Sequence, residues 1–252
     1  MLRVLDLSLA YASEPVVEGV SLEVSAGEFV SLVGPSGCGK TSILRAISGL
    51  LSPRAGRVEL EVRRDAVGFL FQDDALLPWR TARENVALGL RIRRRPKKEA
   101  LAAADVWLTR LGLRVFGERY PRELSGGQRK RVAIAQVLSL RPSLLLMDEP
   151  FASLDAIVRT HITQELLTWV ERERLSVLLV THDLEEALSV SDIVYVLSQG
   201  PRARIRAHYR VPIPRPRDLF DTRTHPEFAR LLERLWQDLS EEVGPSALES
   251  GK

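Results

Sequence analysis

Eight residues, Gly34-Pro35-Ser36-Gly37-Cys38-Gly39-Lys40-Thr41, constrain this chain more than any other stretch. They match G-x-x-x-x-G-K-[ST], which a chain of 252 residues meets by chance on the order of 1% of the time. Glycines at these spacings let the backbone curl until several N–H groups face one anion. The helix that follows adds positive potential at its N-terminus. Lys40 then supplies a point charge for the β- and γ-phosphates, and the Thr41 hydroxyl is a Mg²⁺ ligand. Pro35, Ser36, Cys38 and Ser42 complete the candidate phosphate contacts. The flanks fit: an apolar run, Phe29 to Val33, comes before, and a helix over 41–50 with Ile43, Leu44 and Ile47 on one face comes after. Cys38 is either a thiol activated by the helix N-terminus or a bystander.

Strands and helices alternate along the rest of the chain. Val20, Leu22 and Val24 alternate with polar residues, and residues 56–71 read as short strands. Residues 81–116 are mainly helical, broken at Pro96, with Leu101, Val106, Leu108 and Leu111 as expected core. An amphipathic helix over 127–140 precedes a strand, Leu144 to Met147; a helix over 156–173 precedes another, Val177 to Val180. A helix from Asp183 and a strand over 193–197 follow. That alternation predicts an α/β fold around a mostly parallel sheet. The texture changes after Gly200. VPIPRPR (211–217) can be neither a helix interior nor a central strand. Residues 225–243 return to helix periodicity, with Phe228, Leu231, Leu232, Leu235 and Trp236 on one stripe that packs on the domain or on a partner.

Composition narrows the surroundings. Lys plus Arg is 36 and Asp plus Glu 33, a net +3 that gives no reason to expect nucleic acid. Basic residues cluster at Arg91–Lys98 and Arg202–Arg217; each cluster is either a solvated surface or electrostatic help at an anionic membrane face. One cysteine forbids an internal disulfide and fits a reducing compartment. No window approaches a membrane span and the N-terminus lacks a signal peptide, so a cytoplasmic protein is expected, joined to a membrane only through partners.

Two further motifs carry chemistry. Leu144-Leu145-Leu146-Met147-Asp148-Glu149-Pro150 reads as a buried strand ending in two carboxylates, at the sheet edge where such folds bind ligands. Alone the pair suits an ordinary strand-end acidic patch equally well; with a phosphate loop on the same sheet, Asp148 is placed to hold Mg²⁺, through water, and Glu149 to polarise an attacking water. Leu124-Ser125-Gly126-Gly127-Gln128 opens a helix, and its serine and glycine amides make a second anion nest.

LSGGQ together with the phosphate loop and MDEP resembles the nucleotide-binding domain of ABC transporters, in family order from Tyr11 to about Gly200. The resemblance implies a phosphate-loop NTPase core (residues 1–200) with an N-terminal antiparallel β-subdomain and a helical signature subdomain at about 75–140. Residues 201–252 are then a C-terminal extension. Tyr11 resembles the aromatic that stacks on adenine, although a tyrosine there also suits a core. Gln72 resembles the Q-loop glutamine that contacts Mg²⁺ and the attacking water. Ser153-Leu154-Asp155 resembles the loop that communicates across the dimer, and His182 the switch histidine of the γ-phosphate. Two chains are implied, paired head to tail over two ATP molecules, each held between one phosphate loop and the other chain's Ser125 to Gln128. FQDDALLPWRTARENVALGL (71–90) is similar to the nitrate, sulfonate and taurine importer ATPases, the taurine branch most of all. The expected role is thus an ATPase at the cytoplasmic face of the inner membrane, bound to permease subunits and served indirectly by an extracytoplasmic solute-binding protein. Leu76 to Trp79 is then either an apolar dock for the permease or buried in the chain's own helical subdomain. Gly56 to Gln72 is shorter than the group's pattern. A soluble ABC ATPase of DNA repair or ribosomes is the alternative, but such proteins carry two halves or a long coiled coil. A kinase or GTP switch is disfavoured by LSGGQ.

Overall fold

The computed structural model describes residues 1–242; Val243, the last residue of the expected terminal helix, and the rest of the 201–252 extension lie outside the described residues. Two sheets organise the chain. The first is antiparallel, ordered β2-β1-β4, from β1 (Leu2–Tyr11), β2 (Glu14–Val24) and β4 (Ala55–Leu60). The second has six strands: β5 (Val67–Leu70), β6 (Leu144–Asp148), β7 (Ser176–Thr181), β3 (Phe29–Val33), β8 (Ile193–Leu197) and β9 (Ile205–Arg210), in that spatial order. Its first five strands are parallel, and β9 is antiparallel to β8.

The central strands are unbroken apolar runs because both faces are covered. Alternation still sorts them. Leu144, Leu146, Leu178 and Val180 face a core shared with the antiparallel sheet and with α1 (Lys40–Ser48). Leu145, Met147, Val177 and Leu179 face the opposite core, closed by α4 (Gly126–Leu138) and α5 (Ala156–Glu173). α2 (Ala82–Ile92) and α3 (Lys97–Arg110) pack with α4 as a helical layer beside β5. Pro96 is the N-cap of α3, which explains the break. Of the residues expected in this layer's core, Leu108 and Leu111 are buried and Leu101 is half-buried. Val106 is exposed, because it points away from α2 and α4.

Past Gly200 the chain returns to the same sheet. Ile205, Ala207 and Tyr209 alternate with more exposed Arg206, His208 and Arg210, so β9 presents one face to the core. α6 (Leu184–Val190), α7 (Leu219–Thr224) and α8 (Pro226–Glu242) cover that end. Phe228, Leu231 and Leu235 of α8 are buried, and Tyr209 donates to Asp238 Oδ2 at 2.6 Å to fix the helix on β9. Trp236, expected on the same stripe, is exposed; it stands one residue beyond the buried arc. Three arginines of the 202–217 cluster are tied into ion pairs. Arg204 pairs with Glu18, and Arg215 and the buried Arg217 both pair with Asp192, which ties the proline-rich segment to the sheet. The other basic run differs: Arg91, Arg94, Arg95, Lys97 and Lys98 are all exposed around the α2–α3 turn.

Candidate nucleotide-binding site

Strand register brings the motifs together. Val33 lies opposite Thr181 in the β3–β7 pair, and Asp148 opposite Val180 in the β6–β7 pair. The residues just beyond these strand ends are Gly34, Glu149 and His182, so three distant segments share one sheet edge.

The phosphate loop curls between β3 and α1. Gly39 has φ 104°, and a Cβ there would come within 2.7 Å of Val16 and Val17 side chains, so only glycine fits. Lys40 is buried, and its ammonium donates to the Gly34 and Pro35 carbonyls at 2.8 Å each. Burial pushes the Cys38 thiol up, against the pull of Lys40. That makes Cys38 an inert filler, not an activated nucleophile.

Thr41 Oγ1 donates to Asp148 Oδ1 at 2.9 Å. Burial raises the Asp148 carboxyl above its ordinary range; the Thr41 bond works against that, and neighbouring Glu149 reinforces it. A buried carboxylate penalised in this way, touching a hydroxyl, is a set of hard oxygen donors that a small divalent cation relieves. Among the described residues no three His, Cys, Asp or Glu side chains converge as a self-sufficient metal site. The donors therefore fit Mg²⁺ that takes its remaining ligands from phosphates and water.

Glu149 sits at φ 41°, in the left-handed region that a non-glycine residue adopts only when held. Its N–H bonds the Val180 carbonyl at 2.8 Å, which turns its side chain out of the strand line. Glu149 Oε2 lies 2.9 Å from His182 Nδ1. Two of the residues singled out in the sequence, from separate strand ends, thus already touch.

Tyr11 closes the far side from the antiparallel sheet. It is 46% exposed, so it is not the core tyrosine that its position also allows; its hydroxyl meets Ser42 Oγ at 3.2 Å and Arg45 at 3.5 Å. Gln72 follows β5 and is exposed. Its carbonyl accepts from Lys130 Nζ at 3.0 Å, and Lys130 also pairs with Asp74 at 2.9 Å while fully buried. Lys130, two residues after Gln128, was missed by sequence reasoning, since a basic helix face reads as solvated. So was Asn85. Buried on α2, it donates to the Leu77, Arg80 and Thr81 carbonyls and accepts from Leu77 N–H, which shapes the Leu76–Trp79 turn. Trp79, held out by that turn, is 70% exposed.

Ser125, Gly126, Gly127 and Gln128 lie elsewhere, on the helical layer. Ser125 caps α4: its Oγ accepts from Gln128 N–H, and Gln128 Oε1 accepts from Ser125 N–H at 2.9 Å. A pocket of about 370 Å³ joins this cap to Ser153, Leu154 and Asp155, with no phosphate-loop residue in its lining. Asp155 caps α5 through Val158 N–H. The phosphate loop and the Ser125 cap therefore open on two separate surfaces.

Fold and site define a phosphate-loop NTPase core, with an antiparallel β-subdomain on one side and a helical subdomain bearing the second nest on the other. The sequence profile of the ABC transporter family matches residues 17–152. The chain is 41% identical over 222 residues to the nitrate import ATP-binding protein NrtC of Synechocystis sp., covering 85% of this chain and 33% of that one. It thus spans only about a third of that relative's length. It is 40% identical over 237 residues to the aliphatic sulfonates import ATP-binding protein SsuB 1 of Paracoccus denitrificans, covering 94% of this chain and 93% of that one. A dimeric bacterial ABC transporter cassette, MJ0796, superposes with a TM-score of 0.74 at 30% identity, covering 85% of this chain and all of that one. The same cassette in a post-hydrolysis state with ADP and Pi superposes at 0.73. The chain belongs to the ABC transporter family.

Proposed function

We propose that this chain is the ATP-binding and ATP-hydrolysing subunit of an importer for a small anionic solute of the taurine, alkanesulfonate or nitrate class. The observation that carries the reading is the register that sets Gly34, at the mouth of the loop that holds Lys40, beside Asp148, Glu149 and His182 at neighbouring strand ends, while the Ser125–Gln128 cap opens on a pocket with no phosphate-loop residue in its lining. One chain then holds two half-sites, and two chains head to tail complete both. Residues 1–200 form the nucleotide-binding domain, with the helical part at about 75–140, and 201–252 extend it. ATP phosphates lie on the Gly34–Thr41 amides and Lys40, with adenine on Tyr11. Thr41, Asp148 and Gln72 hold the Mg²⁺ site; bound Mg²⁺ neutralises charge on the β- and γ-phosphates. Glu149 takes the proton of the attacking water, His182 holds the γ-phosphate, and Ser125 to Gln128 of the second chain stabilise it from the other side. Asp155 communicates across the pair. Contacts that require the γ-phosphate favour the closed pair, and their loss on hydrolysis reopens it.

Permease subunits supply the channel and this chain sits at their cytoplasmic face, a reading supported by its likeness to importer ATP-binding proteins; among the described residues no helix is long and apolar enough to cross a membrane. The dock is the region after Gln72: a groove of about 250 Å³ lined in part by Phe71, Ala75, Leu88 and Ile92, together with the Leu76–Trp79 turn, whose Trp79 is exposed. NrtC and SsuB 1, at 41% and 40% identity, are named for different anions, which supports a small anionic solute and no single member. ATP turnover should be followed in proteoliposomes that carry this chain, its permease and its binding protein. Taurine, an alkanesulfonate and nitrate are added in turn, and one of them is expected to stimulate. Turnover indifferent to all three would contradict the importer class and leave the ATPase.

A further inference from the structure

Arg159 stands on α5, four residues beyond Asp155, and reaches two loops at once. Its Nη2 donates to the Leu154 carbonyl at 3.1 Å, and its Nη1 to Asp183 Oδ2 at 3.4 Å. Leu154 lies in the loop that shares the signature pocket; Asp183 directly follows His182. The Asp183 side is itself a knot. Asp183 Oδ1 accepts from Glu186 N–H at 3.0 Å and caps α6. The Thr181 hydroxyl accepts from Asp183 N–H at 3.1 Å and donates to Glu186 Oε2 at 2.5 Å. Both neighbours of His182 are thereby pinned, and the imidazole projects from between them to Glu149. On the Leu154 side, successive turns (Ala152 N–H to the Glu149 carbonyl, Leu154 N–H to the Phe151 carbonyl) run back to the same glutamate. Arg159 closes this circuit.

We propose that Arg159 is a positioning residue that couples the Ser153–Asp155 loop to the loop of His182. Seating of the first loop against a second copy of the chain then sets the imidazole against Glu149. The inference rests on the reading of the chain as an ATP-hydrolysing dimer. A chain of packed and hydrogen-bonded groups of this kind transmits modest coupling, within reach of kinetic measurement.

The experiment uses the full chain and the variants Arg159→Ala, Arg159→Lys, Asp183→Asn and the double Arg159→Ala/Asp183→Asn. Asn keeps the helix cap and removes the charge. ATP turnover is measured at steady state, together with hydrogen exchange of segments 151–156 and 180–186 without nucleotide. Arg159→Ala should lower kcat about tenfold with KM within about twofold, since the phosphate loop is untouched. Lys should recover most of the loss, and the double variant should be no worse than either single one. Exchange should rise in both segments together. The proposal is overturned by kcat within twofold of the unaltered chain, by additive losses in the double variant, or by a fall in thermal midpoint that Lys does not repair. If the unaltered chain turns over no ATP, the dimeric ATPase reading fails, and the exchange data still decide whether the bridge exists.

Discussion

At the scale of single residues, the site divides labour between groups that the backbone has already aimed. Glu149, twisted out of β6 by its left-handed backbone, is the proton acceptor of the account. Replacing it with Gln should keep ATP binding and lower kcat by about 10²- to 10⁴-fold; near-normal turnover in a coupled phosphate-release assay would remove the assignment. Lys40→Ala should abolish nucleotide binding in a fluorescence titration, because it removes the buried ammonium held against the Gly34 and Pro35 carbonyls; unchanged affinity would contradict the phosphate-loop assignment. Glu186 gives a pH signature. Burial pushes its carboxyl from 4.5 up to about 7. The folded chain then binds this proton more tightly than the unfolded chain. The resulting stabilisation is fully present below pH 4.5 and is lost as pH rises through about 7. Glu186→Gln should flatten the decline of thermal midpoint across that window, and an unaltered slope would show that the carboxyl is not held as the structure has it.

At the scale of elements, the anchoring residues are Lys130 and Asn85, neither of which sequence reasoning picked out. Lys130→Met should lower stability by about 1–3 kcal/mol, read as a denaturant midpoint, since Asp74 and the Gln72 carbonyl lose their buried donor. What was legible in the sequence had local physics behind it. The glycine loop, the strand ending in Asp148 and Glu149, and the Ser125 cap all follow from short-range rules. So do the boundaries at Pro96 and 156–173. What was not legible depends on contacts between distant segments. β9 reads as a charged tail, and only its pairing with β8 reveals the alternation of Ile205, Ala207 and Tyr209. Arg217 reads as surface charge until Asp192 and the Ile213 carbonyl are placed beside it. Val106 and Trp236 fall on apolar stripes by spacing, yet the neighbouring helices do not reach that far round.

At the scale of the whole molecule, the separation of the phosphate loop from the Ser125 cap is the central observation. The phosphate loop lies at the edge of the parallel sheet, and the Ser125 cap opens on another pocket beside Ser153 to Asp155. Ser125→Arg should therefore leave ATP binding by one chain intact and abolish hydrolysis by the pair. Loss of binding in the single chain, by isothermal titration, would place the cap in the chain's own site. Sedimentation of the Glu149→Gln chain with ATP and Mg²⁺ tests the pairing most directly. A two-chain species holding two ATP is expected, and it should disperse to single chains when Ser125→Arg is added to the same polypeptide. A single-chain species that retains ATP, or a pair indifferent to Ser125→Arg, would contradict head-to-tail completion of the site.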